Sequence, residues 1–254
     1  MSPPQGDRRR GRVRIQGLAA TLRQRLHSLP PGASAHRGDV PGDDPVVPLA
    51  AATVDRLLRH AECLERWSDL TSLVGRGDDD LVERHYLESL AGVELCRGAG
   101  CLLDLGSGAG FPGLVLAAAL PEVEVHLVEA RQRKAAFLRQ AARAMGLERV
   151  RVHATRLDPR AGGRLLTSQV GAARVDCLTL RAVRLDDGLW SAVEPALAGS
   201  ARLVRWEGEE PPALAVELEL QRRIPLAGAS QRAVACYLRH RSGSAEATEA
   251  KPSV

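Results

Sequence analysis

The residues whose types and spacing could do chemistry lie in one run, Cys101-Leu-Leu-Asp104-Leu-Gly106-Ser-Gly108-Ala-Gly110-Phe111-Pro-Gly113. A short apolar strand that ends in glycines and leads into an apolar helix sets backbone N–H groups and a helix N-terminus against a nucleotide-like ligand. A dinucleotide site reads G-x-G-x-x-G, but Phe111 stands where the third glycine would be. Asp104 sits at the strand end, where an anion repels a pyrophosphate and suits a ligand carrying an ammonium and a sulfonium. About 20 residues past the turn, a second apolar run (123–128) ends in Glu129, whose carboxylate can accept from both hydroxyls of a ribose.

These residues need strands and helices to hold them, and the pattern supplies them. Strands are expected at 101–105, 123–128, 149–154, 175–180, 201–206, 216–224 and 233–239. Helices are expected at 114–120, at 131–145 with Gly146 as its C-cap, and at 186–197. The alternation predicts an α/β, Rossmann-like fold around a mostly parallel seven-stranded sheet. Before it, Leu57, Leu58, Ala61, Leu64 and Trp67 share one helical stripe, and a second helix over about 79–95 carries Leu81, Val82, His85, Leu87, Leu90 and Val93. His85 reads as a core or interface histidine rather than a catalyst. The organisation expected is a disordered basic arm (1–45), in which residues 13–29 could form a basic helix before the prolines that follow, a small N-terminal helical cap (46–98), the sheet domain (99–240) and a disordered tail (241–254).

Composition sets bounds. A hydrophobic fraction of 44% supports a sizeable core, and an aromatic fraction of 3% makes that core aliphatic. A net charge of +4 permits contact with nucleic acid without requiring it. Lys134 and Lys251 are the only lysines, a skew toward arginine that follows from codon composition as readily as from function. The arginines of the N-terminal arm could add attraction to RNA phosphates, but the compositional reading serves as well. The cysteines number five, without a C-x-x-C pair, which predicts buried reduced thiols, no cysteine-based metal site and a cytoplasmic protein. The N-terminal arginines lack a following apolar segment, and the run 114–120 is too short to span a bilayer, so neither a secretory signal nor a membrane span is expected. Without a coiled-coil pattern or a long exposed apolar stripe, a monomer is expected.

D-x-G-x-G-x-G after a strand resembles the first motif of class I S-adenosylmethionine (AdoMet) methyltransferases. The whole of Asp104-Leu-Gly-Ser-Gly-Ala-Gly-Phe-Pro-Gly113 is similar to the AdoMet loop of the bacterial 16S rRNA guanine-N7 methyltransferases, the RsmG (GidB) family. Leu127-Val-Glu-Ala-Arg-Gln-Arg-Lys-Ala-Ala-Phe-Leu-Arg139 is similar to that family's second motif. Asp69-Leu-Thr-Ser with Glu83-Arg-His85-Tyr-Leu-Glu-Ser89 resembles its N-terminal signature, and Thr155-Arg156-Leu157-Asp158 and Arg181-Ala182 follow at matching places. The likeness spans roughly residues 57–239 and implies a class I methyltransferase fold, AdoMet as cofactor and 16S rRNA or the small ribosomal subunit as partner. It further implies that Gly106 and Phe111 line the AdoMet loop with Gly108 and Gly110, and that Glu129 holds the ribose. Leu157 and Asp158 would border the adenine, Arg181 would stand beside the methyl-transfer site, and Arg156 would be a second candidate for contacting RNA or the target base.

The implied chemistry suits a chain with few obvious catalysts. Guanine N7 offers an in-plane lone pair at neutral pH, so alignment and electrostatics suffice without a general base. An arginine such as Arg181 can donate to guanine O6 or to phosphate and leave N7 open. Two departures from the family pattern fall on the RNA side: Trp67-Ser-Asp69-Leu-Thr71 lacks the family's asparagines, and Glu207 precedes Gly208 where the family has a lysine. They leave open a methyltransferase for another RNA or a small molecule, and a catalytically weak AdoMet- and RNA-binding protein. A dinucleotide oxidoreductase is disfavoured by Asp104 and Phe111.

Overall fold

Seven strands form a single sheet in the order β3-β2-β1-β4-β5-β7-β6 in the computed structural model of the chain, which describes residues 16–29, 49–68, 70–71, 73–74, 80–158, 162–171, 174–208, 218–226 and 231–239. β1 (Cys101–Leu105), β2 (Glu124–Val128), β3 (Val150–His153), β4 (Val175–Arg181) and β5 (Leu197–Glu207) pair in parallel. β6 (Leu218–Pro225) and β7 (Ala233–Arg239) add antiparallel at the far side, with β7 inserted between β5 and β6. Every residue of β1 is buried, as a strand covered on both faces must be. Strand order reverses between β1 and β4, and ligands of open α/β sheets bind at the carboxyl ends of the strands at such a point.

Two aliphatic clusters sandwich the sheet. On one face Leu102, Val125, Leu127, Cys177 and Val204 pack against α2 (Ala51–Ser68), α5 (Gly113–Ala119) and α6 (Gln132–Ala144). On the other, Leu103, Leu105, Leu178, Leu180 and Leu203 meet α7 (Gly162–Gln169) and α8 (Asp187–Val193). The alternation of Leu103, Asp104 and Leu105 along β1 therefore turns Asp104 toward the α5 face. All five cysteines are free and buried. Among the described residues no helix is long and apolar enough to cross a membrane, and no group of histidine, cysteine and carboxylate side chains could hold a metal.

Several elements differ from the pattern. α7 lies where the sequence reads as a glycine- and arginine-rich loop; buried Leu166 anchors it. The helix expected over 186–197 stops at Val193, because Pro195 enforces a 3-10 turn (Glu194–Ala196), and β5 then begins four residues earlier than expected. The helix expected over 79–95 is three pieces: a π-helix (Val82–Leu87), α3 (Glu88–Leu90) and α4 (Val93–Cys96). Gly92 sits at the last break, where the Trp206 indole occupies the space a side chain would need.

Within the expected disordered arm, α1 (Leu18–Ser28) is ordered. Leu18, Leu22 and Leu26 recur every fourth residue and are buried, each contributing roughly 1.5–3 kcal/mol. The Ala19 amide donates to Glu65 Oε1 at 3.2 Å, and Arg25 pairs with Glu83 of the π-helix. The short apolar stripe outweighs the surrounding arginines. Residues 1–15, 30–45 and 241–254, the rest of the expected arm and tail, lie outside the described residues. The cap also closes a helix end: Thr53 Oγ1 and Arg56 Nη1 donate to the Ala118 carbonyl at 3.2 and 3.3 Å, near the C-terminus of α5.

Candidate active site

The turn after β1 is pinned to the tip of β2. The amides of Gly106 and Ser107 both donate to the Val128 carbonyl, at 2.9 and 3.1 Å. The next amide, Gly108, donates to Glu129 Oε2 at 3.0 Å, while Glu129 Oε1 accepts from the Arg131 amide at 2.7 Å. Gly106, Gly108 and Gly110 all have positive φ. At Gly106 (φ +70°) a Cβ would also stand 2.6 Å from Val183 Cγ2, so a side chain is excluded twice over. Glu129 is 7% exposed, and each of its oxygens keeps a second lone pair. Lys134, half-buried one turn into α6, lies beside this carboxylate; burial holds its pKa down and the Glu129 charge opposes that.

Asp104 lies beneath the turn rather than on its surface. It is fully buried behind the turn, with Oδ1 accepting from Thr179 Oγ1 at 2.7 Å. Its Oδ2 has no hydrogen-bond partner of good geometry and faces Gly113, where a Cβ would come within 2.6 Å of it. Burial pushes the carboxyl up to about 6, opposed by Thr179, Ser107, the Gly113 amide and the Arg181 charge. The pleat of β1 explains the displacement: position 104 points under α5, and only the residues after Leu105 reach the surface of the turn.

Phe111 turns inward as well. Its ring is 8% exposed, stacked on His85 at 4.9 Å and edge-on to Tyr86 and His60 at 4.9 and 5.2 Å. His60 is the hub that sequence reasoning missed. Its Nε2 lies 2.9 Å from the Ala109 carbonyl, which can only accept, so Nε2 carries the proton and Nδ1 accepts from the Tyr86 hydroxyl at 2.8 Å. Burial drives the imidazole pKa down to about 4, keeping it neutral. A lone histidine on a helical stripe carries no sequence mark of this brace.

Arg181 ends β4, but its guanidinium is turned to the cap. Nη2 pairs with Glu88 Oε2 at 2.8 Å and donates to the Arg84 carbonyl; Nη1 lies 3.4 Å from Ser89 Oγ. Ala182, the next residue, has φ +55°, a left-handed conformation unusual for a side-chain-bearing residue. Arg156, Leu157 and Asp158 follow β3: Arg156 and Asp158 are exposed, and Leu157 packs on the second cluster. Two strands separate β3 from β4, so the strand ends carrying Arg156 and Arg181 stand about 14 Å apart. Of the two departures, Asp69 lies outside the described residues. Glu207 is 6% exposed, accepting from the Tyr237 hydroxyl at 2.5 Å and from Arg223 Nε at 3.2 Å, so its charge is not turned to an RNA phosphate.

A glycine turn, a buried acid at the neighbouring strand tip and a switch point between them are shared by many nucleotide-binding sheets, and comparison with known proteins narrows the class. The family model of GidB, rRNA small subunit methyltransferase G, matches residues 53–236. The chain belongs to this family. Ribosomal RNA small subunit methyltransferase G of Myxococcus xanthus is 37% identical over 204 residues, covering 75% of this chain and 90% of that one. The protein of the same name from Neisseria gonorrhoeae is 36% identical over 150 residues, 58% of this chain and 72% of its own. A solved MtNAS mutant in complex with S-adenosylmethionine matches at a TM-score of 0.50 and 13% identity, over 72% of this chain and 71% of that one, a likeness of fold alone. As a small-subunit rRNA methyltransferase G, the chain is an AdoMet-dependent methyltransferase. The residues present fit that cofactor: Gly106, Gly108 and Gly110 set no side chain between a ligand and the backbone of the turn, and Glu129 keeps acceptor capacity for a diol.

Proposed function

We propose that this chain methylates N7 of a guanine in 16S rRNA, as free rRNA or within the small ribosomal subunit. Gly106, Gly108, Gly110 and Glu129 would hold AdoMet, with Leu157 and Asp158 beside its adenine and Arg181 at the target base. When bound, AdoMet supplies a methyl group on a sulfonium, ready for in-line displacement by a ring nitrogen. The protein's part is then to align the two partners and exclude competing geometries. Arg181 would orient the base by donating to O6, which leaves N7 clear, and Arg156 would contact RNA from the β3 side.

One observation carries the reading of N7. The acids around the turn are already engaged: Asp104 lies behind it on Thr179, Glu129 holds two amides, and Glu88 pairs with Arg181 and Arg232. None of these three is set to take a proton from a substrate, which favours a nucleophile that has none to lose. The free buried cysteines favour a reducing, cytoplasmic setting. With Leu70 and Leu220 the only large apolar side chains exposed among the described residues, a monomer is favoured. The helical residues 46–98 would serve as a cap on the methyltransferase domain, 99–240. The test is methyl transfer from labelled AdoMet to small subunits and to 16S rRNA, with the position mapped by borohydride and aniline cleavage. Strand scission at a single guanine is expected; transfer to another atom, or no transfer, overturns the reading.

A further inference from the structure

Glu88 belongs to the cap, not to the glycine turn, and at 9% exposure its carboxylate is nearly enclosed. It stands between two guanidiniums drawn from distant strands: Arg181 at the tip of β4 on Oε2, and Arg232, just before β7, on Oε1. Its own backbone carbonyl accepts the Trp206 indole N–H at 2.6 Å. The neighbouring Ser89 hydroxyl and Arg84 carbonyl also face Arg181, so the π-helix and α3 together form a socket for that one guanidinium.

Such a socket is poorly explained by stability. Enclosing an ion pair costs desolvation that roughly cancels its attraction, and an apolar residue of similar size would serve the core as well or better. What a carboxylate adds is direction, because a guanidinium hydrogen-bonds in fixed planar geometry. The left-handed Ala182 immediately follows, so the backbone at the strand tip is constrained on one side while the side chain is gripped on the other.

We infer that Glu88 is a positioning residue for methyl transfer, setting through its pairing with Arg181 the angle at which that guanidinium meets the target guanine. The inference rests on the role proposed for Arg181. It predicts that removing the Glu88 charge lowers turnover while AdoMet binding survives, because Glu88 touches the turn nowhere among the contacts described.

The test compares wild type, Glu88→Gln, Glu88→Asp, Arg181→Ala and the Glu88→Gln/Arg181→Ala double variant, using small subunits and labelled AdoMet. Glu88→Gln is expected to lose on the order of 100-fold in kcat, the scale of a misplaced catalytic contact, with the calorimetric Kd for AdoMet within about threefold of wild type. Glu88→Asp, which keeps the charge, should recover most of that loss and carries the test if Glu88→Gln fails to fold. In the Arg181→Ala background the second substitution should cost less than about twofold, since coupled residues are not additive. Wild-type turnover in Glu88→Gln, or a full additional loss in the double variant, overturns the inference. Wild-type turnover in Arg181→Ala instead overturns the role of Arg181 itself, so the two failures are distinguishable.

Discussion

His60 donates its Nε2–H to the carbonyl of Ala109 at 2.9 Å, so α2 holds the middle of the glycine turn by one neutral imidazole. The Tyr86 hydroxyl completes the relay at Nδ1. His60→Phe keeps the ring but orphans both partners, and each unsatisfied buried group costs about 1–3 kcal/mol. The variant is expected to unfold at lower denaturant and to bind AdoMet more weakly by calorimetry. Lower stability with unchanged affinity would limit the brace to a structural role.

Glu129 accepts from two amides that belong to the turn and to the entrance of α6. Glu129→Gln keeps the shape, gives up the charge and replaces one acceptor oxygen with a donor. A loss of about 10- to 100-fold in AdoMet affinity is expected, equivalent to about 1.4–2.8 kcal/mol. Calorimetry on the folded variant checks it, and an unchanged Kd counts against Glu129 as a ligand.

Asp104 makes a prediction about pH. Its folded-state pKa of about 6 exceeds the ordinary 3.8, so the native protein binds this proton more tightly than the unfolded chain does. Its contribution to stability is complete below 3.8 and is lost as pH rises through about 6. The full difference corresponds to roughly 3 kcal/mol. Asp104→Asn, which cannot ionise, should flatten that part of the stability-versus-pH curve measured by urea titration. A slope identical to wild type between these pH values would contradict it.

Glu207 occupies a position where the family resemblance leads one to expect a lysine, yet it is enclosed by Tyr237 and Arg223. Glu207→Lys therefore sets a buried cation beside Arg223 and takes the acceptor from the tyrosine. A loss of about 1–3 kcal/mol is expected, the scale of a buried hydrogen-bonding group left without its partner. Thermal unfolding checks this, and a more active or more stable variant would show that the position faces RNA after all.

Gly92→Ala should destabilise by about 1–3 kcal/mol, the cost of forcing atoms into a filled space. The obstacle is the Trp206 indole, a rigid ring already fixed by its bond to the Glu88 carbonyl, so it cannot swing aside cheaply. A denaturant midpoint equal to that of wild type would refute the clash.

Periodicity and glycine placement make β1 and β7 legible residue for residue, and the alternation of elements foretells a mostly parallel seven-stranded sheet, though not the order of its strands. Orientation is harder to read. Asp104 and Phe111 belong to a binding motif by spacing, but the pleat and the aromatic cluster turn both away from the surface. The site's supports are hidden for a different reason: His60 and Thr179 belong to no motif, and Tyr86 and Glu88, though inside the run that resembles the family's N-terminal signature, have bracing roles that the run does not disclose. Each acts on a partner at least 26 residues away, and no local pattern records such a pairing. α1 falls within residues 13–29, which the sequence allows as a basic helix; the composition around it points to disorder, yet three leucines are enough to dock it.

The bonds of Glu88 reach 93, 118 and 144 residues downstream, to Arg181, Trp206 and Arg232. A chain emerging from the ribosome makes its glycine turn well before Arg232 and lacks the last of these anchors until the start of β7 has been synthesised. The clasp on Arg181 is thus complete only once Arg232 has been made, and a product truncated before Arg232 would present the motif without it.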